Sequence, residues 1–204
     1  MNRRFDVLRS WVRTAADRAV DRAAGTRLAS VTRRALERLT QQLWRLSDDA
    51  LTTAAAHADG VDSAMVACKG GRIFVDAALT NGREVQFSIA PQAVRFAPRG
   101  AKEISFDVEP PGVFDHSIVG AIAASIARAT WPMILPPDAR DVGSAIVERE
   151  SDARVRVDLR TVPAVRRFAA RGTAGMIFDV LELESIRVEP GALALKLKLP
   201  QLAP

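Results

Sequence analysis

Asp115-His116-Ser117 carries the three side-chain types of a nucleophilic triad. A triad needs carboxylate, imidazole and hydroxyl converging in space, and consecutive residues point their side chains apart. Asp115 and Ser117 instead stand where a helix would begin, and either can cap it by accepting from a free backbone N–H. His57, Asp59 and Asp62 are metal-ligand types, but their spacing fits no closed zinc pattern, and a polar loop accounts for it. Cys68 precedes Lys69, whose ammonium would favour a thiolate. The same cysteine lies in a strand-like run with Val61, Ala64, Met65 and Val66, where it is expected as a small buried hydrophobe. Gly70-Gly71 lacks the lysine and Ser/Thr of a phosphate loop and opens no helix. With one cysteine, two histidines and no tyrosine, neither an internal disulfide nor a multi-cysteine metal site can form. No catalytic residue, metal ligand or cofactor is expected.

The elements that would position any site come from an ordinary globular composition. The chain has 204 residues, 48% apolar and 26% charged, which excludes disordered, collagen-like and mucin-like classes. Residues 1–50 hold 11 arginines against 6 acidic residues, which is the whole formal excess of +5. A basic stretch can draw phosphates of nucleic acid or of lipid headgroups. Here Asp6, Asp17, Asp21, Glu37, Asp48 and Asp49 interrupt the arginines, and no aromatic-interleaved motif accompanies them. Nucleic acid is therefore not the expected partner. No apolar signal run follows the charged start, and no stretch reaches the ~18–20 apolar residues of a membrane span. The expected location is cytoplasmic, free or peripheral to the inner membrane.

Two segments follow from periodicity. Residues 1–56 read as a basic amphipathic helical segment. Phe5, Leu8, Val12, Ala15, Ala16, Ala19 and Ala23 recur at helical steps over 3–24. Leu28, Val31, Ala35, Leu39, Leu43, Leu46 and Ala50 do so over 27–56, with a break or restart at Ser47-Asp48-Asp49. This segment can pack on the rest, join two copies in a homodimer or scaffold, or lay Phe5, Leu8, Trp11 and Val12 on an anionic membrane through residues 1–24. Residues 57–204 read as an α+β domain of half-buried antiparallel strands. Arg72 to Leu79 is a strand, and Asn81-Gly82 predicts a type I′ hairpin turn. Val85, Phe87 and Ile89 then alternate with Glu84, Gln86 and Ser88, and Val94 and Phe96 form a separate short strand after Pro91. Ile104, Phe106 and Val108 alternate with Glu103, Ser105, Asp107 and Glu109. Val155, Val157 and Leu159 alternate with arginines and Asp158. A short helix starts at Pro163, and Phe178 to Leu183 is a strand with a register slip near Leu181. After the Glu189-Pro190-Gly191 turn, Leu193, Leu195, Leu197 and Leu199 share one face.

Residues 114–131 form the most apolar helix. Val119, Ile122 and Ile126 share one face with Ile118 beside them, and Gly120, Ala121, Ala123, Ala124, Ser125 and Ala127 keep the remainder small. A helix apolar on most sides is a buried helix. Large strand residues facing so slim a helix have two outcomes. The sheet closes on the helix as an ordinary core, or it curves and leaves an elongated apolar slot that hydrocarbon would fill.

The order Gly71-Arg72-Ile73-Phe74-Val75-Asp76, Val85-Gln86-Phe87-Ser88-Ile89, Glu103-Ile104-Ser105-Phe106-Asp107-Val108, the Ile118 to Ile122 helix and the closing Pro190 to Leu197 run resembles the tubular lipid-binding (TULIP) superfamily in its bacterial single-domain type. That resemblance covers roughly residues 60–200. It implies a curved antiparallel sheet wrapped around a long apolar helix, a lipid or other fatty-acyl ligand in the tube, and no catalytic residues. The side chains expected to line such an interior are Val85, Phe87, Ile89, Ile104, Phe106, Val108, Ile118, Ile122, Ile126, Leu193, Leu195 and Leu197.

Overall fold

A computed structural model describes residues 43–97, 100–131, 135, 143–169, 178–179 and 182–198. The helix expected over 3–24, most of the one expected over 27–56, and Leu199 lie outside the described residues. The fold is α+β. In chain order the elements are β1 (Leu43–Ser47), α1 (Asp48–Ala56), β2 (Val61–Lys69), β3 (Arg72–Leu79), β4 (Glu84–Phe96), β5 (Lys102–Glu109), α2 (His116–Thr130), β6 (Val147–Ser151), β7 (Arg154–Asp158), a 3-10 turn (Leu159–Thr161), α3 (Pro163–Ala169), β8 (Glu182–Glu189) and β9 (Ala192–Lys198). A six-stranded sheet runs in the order β2-β3-β4-β5-β7-β6, and a three-stranded sheet in the order β1-β9-β8. Every pairing is antiparallel. Among the described residues no helix is long and apolar enough to cross a membrane.

Leu43–Ser47 departs from the helical reading of 27–56. Of that segment's described residues, 43–56, only α1 is helical, and Leu43–Ser47 is a strand paired with β9, setting Trp44 opposite Leu195 and Leu46 opposite Leu193. The break anticipated at Ser47 is real, because its hydroxyl caps α1 by accepting from Ala50 N at 3.3 Å. Helix α1 lies along β2 and shields its free edge. Thr52 Oγ1 accepts from Val66 N (2.9 Å) and donates to Val66 O (3.3 Å), while Asp48 Oδ1 accepts from Cys68 N (3.0 Å). An edge strand otherwise exposes a row of unpaired backbone groups that invites association, and these side chains occupy part of it.

Elsewhere the alternation maps onto the sheets with local exceptions. The Asn81-Gly82 hairpin forms, but on a three-residue loop. Gly82 N donates to Leu79 O and Leu79 N donates to Arg83 O, with Gly82 at φ +79°. That is the longer hairpin connection with a left-handed glycine, not a two-residue type I′ turn. Strand β4 does not stop at Pro91. It continues to Phe96 through an irregularity between Pro91 and Ala93, where the missing proline N–H is tolerated. Ser88, expected on a wet face, is buried because Arg72 lies over it, with Nε donating to Ser88 Oγ at 2.8 Å. Phe178 and Asp179 belong to a helical turn, and the register irregularity of β8 sits between Leu183 and Ser185.

Helix α2 is buried on most sides, with ten of its fifteen residues in the core. It meets α1, β1, β9 and β6. Asp115 starts it, its Oδ1 accepting from Ser117 N (2.9 Å) and Ile118 N (3.1 Å). Asp115→Ala removes this cap and is expected to lower stability by about 1 kcal/mol in urea denaturation. The hydroxyls of Ser125 and Thr130 donate back to carbonyls one turn earlier, so neither leaves an unpaired polar atom in the interior.

Candidate functional site

The structure brings all twelve expected interior residues into one cluster of buried side chains. Strand pairing explains the alignment. Ile89 sits opposite Val108, Ile104 opposite Val157 and Phe106 opposite Val155, so adjacent strands turn their apolar rows to the same side. The row Leu193, Leu195 and Leu197 closes the interior from the three-stranded sheet, and Ile118, Ile122 and Ile126 enter from α2. Relative exposure across the twelve runs from 0% to 8%, and eight of them keep no accessible surface. The interior is closed. Neither solvent nor a water-sized gap touches those eight.

The small residues of α2 have a packing cause at one position. A Cβ built on Gly120 would lie 2.5 Å from the Ala145 carbonyl oxygen and 3.2 Å from Ser144 Cβ. The segment leading into β6 therefore presses backbone against helix backbone, and Ala145 N donates to Gly120 O at 3.1 Å. Gly120 serves this crossing rather than a slot.

The polar candidates are placed as local structure. Asp115 and Ser117 are joined at the helix cap, where Ser117 Oγ also donates to Asp115 Oδ1, and the His116 ring packs on Phe114 with centroids 4.7 Å apart. His57 Nδ1 lies 2.6 Å from Thr53 O at the end of α1. Among the described residues no three His, Cys, Asp or Glu side chains gather around a point where a metal would sit. Gly70 and Gly71 make the β2–β3 turn with φ of +56° and +78°. Cys68 is buried, and its thiol is pushed up to about 12 by burial first, then by a hydrogen bond to Asp48 and the charge of that carboxylate.

Sequence reading missed one polar cluster. Lys102 begins β5 and lies on the inward face with Ile104, Phe106 and Val108, where it is fully buried. Its Nζ donates to Asp179 O at 3.3 Å and lies 5.4 Å from the Phe96 ring and 5.7 Å from the Phe178 ring. Burial lowers the ammonium pKa, Glu182 and Asp179 pull it back up, and Arg160 lowers it further. Trp131, just past the end of α2, joins the same two rings. It stacks on Phe96 with centroids 5.8 Å apart and tilts against Phe178 at 4.5 Å. Its Nε1 is buried without a hydrogen-bond partner among the described residues. The period of two was the available signal, since Lys102 stands two residues before Ile104. No protein-family model, curated protein or solved structure matches the chain.

Proposed function

We propose that this chain is a non-catalytic binder of a long apolar molecule, such as an acyl chain, taken up between the two sheets beside α2 for transport or sensing. The observation that carries this reading is the shared interior. Both sheets and α2 contribute to it, and its twelve central side chains hold no polar atom. In this reading the six-stranded sheet curves towards α2 as a central rod, which meets that sheet at β6 and the three-stranded sheet at β1 and β9.

Because the interior is closed, loading requires the sheets to part. Among the described residues the two sheets share no strand ladder. The hairpin turn between β8 and β9 ties across to the other sheet through Gly191 N donating to Cys68 O at 2.9 Å. Burying a chain of about fifteen carbons gains roughly 12 kcal/mol gross at ~0.8 kcal/mol per methylene. That gain is of the size needed to offset the loss of free motion on binding and the separation of packed side chains. Only the parted fraction of molecules is competent, so apparent affinity falls by that fraction.

Mass spectrometry of the purified chain under native and denaturing conditions tests the reading. The expected result is an extra mass in the native spectrum that organic extraction recovers as a long-chain molecule, or uptake of added hexadecan-1-ol. Identical native and denatured masses, together with no uptake of hexadecan-1-ol, overturn it.

A further inference from the structure

The outer face of the six-stranded sheet, turned away from the shared interior, has two unlike halves. Over β5, β7 and β6 it is a checkerboard of ion pairs: Arg95 with Glu103, Arg154 with Asp107, and Arg156 with Glu148 and Glu150. Over β2 and β3 it carries Met65, 70% exposed, and Phe74, 38% exposed. Register makes these two diagonal neighbours, since Ala67 stands opposite Phe74 and Met65 opposite Asp76. Charge is graded along the same two strands. Lys69 and Arg72 are paired in the row beside the β2–β3 turn, Ala67 and Phe74 form the next outward row, and Met65 and Asp76 the third. Successive outward rows lie about 7 Å apart, two residues of strand. The Lys69 ammonium leans over the Phe74 ring at 4.7 Å, and Arg72 Nε lies 3.4 Å from a Glu109 carboxylate oxygen. Asp76 Oδ2 accepts from Gln86 Nε2 at 3.2 Å.

We infer that this face joins two copies of the chain in a symmetric dimer, with Phe74 against Phe74 at the two-fold axis and Lys69 of each copy facing Asp76 of the other. An isologous interface must be complementary to itself. This face meets that condition for one axis. Turned over about a line across the strands at the Ala67–Phe74 row, the row of Lys69 and Arg72 lands on the row of Met65 and Asp76 in the second copy. Turned over about a line along the strands, Lys69 lands on Arg72, and like charges oppose that packing. Sheets stacked face to face stand about 10 Å apart, a gap that a lysine and a carboxylate reaching in from the two sides can close. The unbranched Met65 thioether adapts to the lysine stem beside it. An anionic lipid surface fits less well. It would gain from Lys69 and Arg72 and be repelled by Asp76 and by Glu84, which stands opposite Ala78 one row further on. The inference is independent of what the interior holds.

Sedimentation velocity of the full chain tests it. A patch of two to three strands is small beside the roughly 800 Å² per partner of a standard interface, so a dissociation constant in the micromolar range is expected. The wild-type mass should therefore rise from the 22.1 kDa monomer towards twice that value between about 1 and 200 µM. Phe74→Glu is expected to weaken association at least tenfold. Lys69→Glu and Asp76→Lys each set like charges against each other twice in their own dimer, and each is expected to do the same. An equimolar mixture of these two variants pairs Glu with Lys and Lys with Asp, and is expected to dimerise within about fivefold of wild type. All three positions are exposed, and circular dichroism checks that each variant folds; should one not fold, the wild-type concentration series and the remaining variants decide. A wild-type monomer at every concentration overturns the dimer. So does a dimer indifferent to Phe74→Glu, or a mixture that associates no better than its components. A monomeric wild type whose binding to phosphatidylglycerol vesicles is lost in Phe74→Glu also overturns it, and gives the face to a lipid surface.

Discussion

Gly120→Ala destabilises the fold by about 3 kcal/mol, the upper part of the range for overpacking a close-packed interior. The sign is the informative part. In an exposed helix the same change stabilises by roughly 1 kcal/mol, because alanine is the better helix former. Here the added methyl would meet the Ala145 carbonyl oxygen at 2.5 Å and the Ala145 nitrogen at 3.3 Å. A flexible side chain could rotate away, but a backbone carbonyl cannot. The contact is also held from the other side, since Ala145 N donates to Gly120 O. Relief requires the 143–146 segment to lift from α2 and lose that bond, or the helix to shift against the elements packed on it. Domains of this size lose roughly 2–4 °C of Tm per kcal/mol, so a fall of about 6–12 °C is expected in thermal unfolding. A Tm equal to or above that of the wild-type chain would show that the two backbones do not cross there.

The same residue shows where sequence reading reaches its limit. Periodicity located α2 and β3, and it placed all twelve interior side chains on the buried side, because one wet face and one dry face leave an unmistakable period. It also read Gly120 as part of a slim helix surface. Which backbone comes close to a glycine depends on a segment some 25 residues away, and no local pattern carries that. Leu43–Ser47 failed for a related reason. Leu39, Leu43 and Leu46 keep helical spacing, and only β9, from the far end of the chain, makes that stretch a strand. Strand β6 (Val147–Ser151) is almost wholly exposed and so shows no alternation to read. Lys102 was legible by register and was passed over by residue type, because a lysine is seldom fully buried without partners. At Pro91 a strand was broken in two because proline usually ends one, whereas an irregular register lets β4 continue.

Cys68 is expected to react with iodoacetamide at pH 8 about a thousandfold more slowly than an unperturbed cysteine, from its ionisation alone. The thiolate is the reactive form, and moving the thiol from 9.0 to about 12 reduces the thiolate fraction by that factor. Burial is the largest cause, since the side chain keeps only 2% of its surface. Asp48 adds a hydrogen bond and a negative charge beside it. That carboxylate is there for a structural reason: it accepts from the backbone N–H of Cys68 and helps α1 cover the edge of β2. The device that shields the strand edge thus also silences the thiol beneath it. A stability consequence follows with a definite sign. The folded state holds the neutral thiol more strongly than the unfolded chain does. This contribution is therefore fully present below pH 9 and is lost as pH rises from 9 towards 12. Urea midpoints at pH 8 and pH 10.5 should converge more in Cys68→Ala than in the wild-type chain. Asp48→Asn keeps an oxygen for the Cys68 N–H while removing the charge, and should raise the labelling rate. Labelling of the native chain at the rate of a free thiol would mean that α1 does not seal this edge, and the closure of the interior at β2 would fall with it.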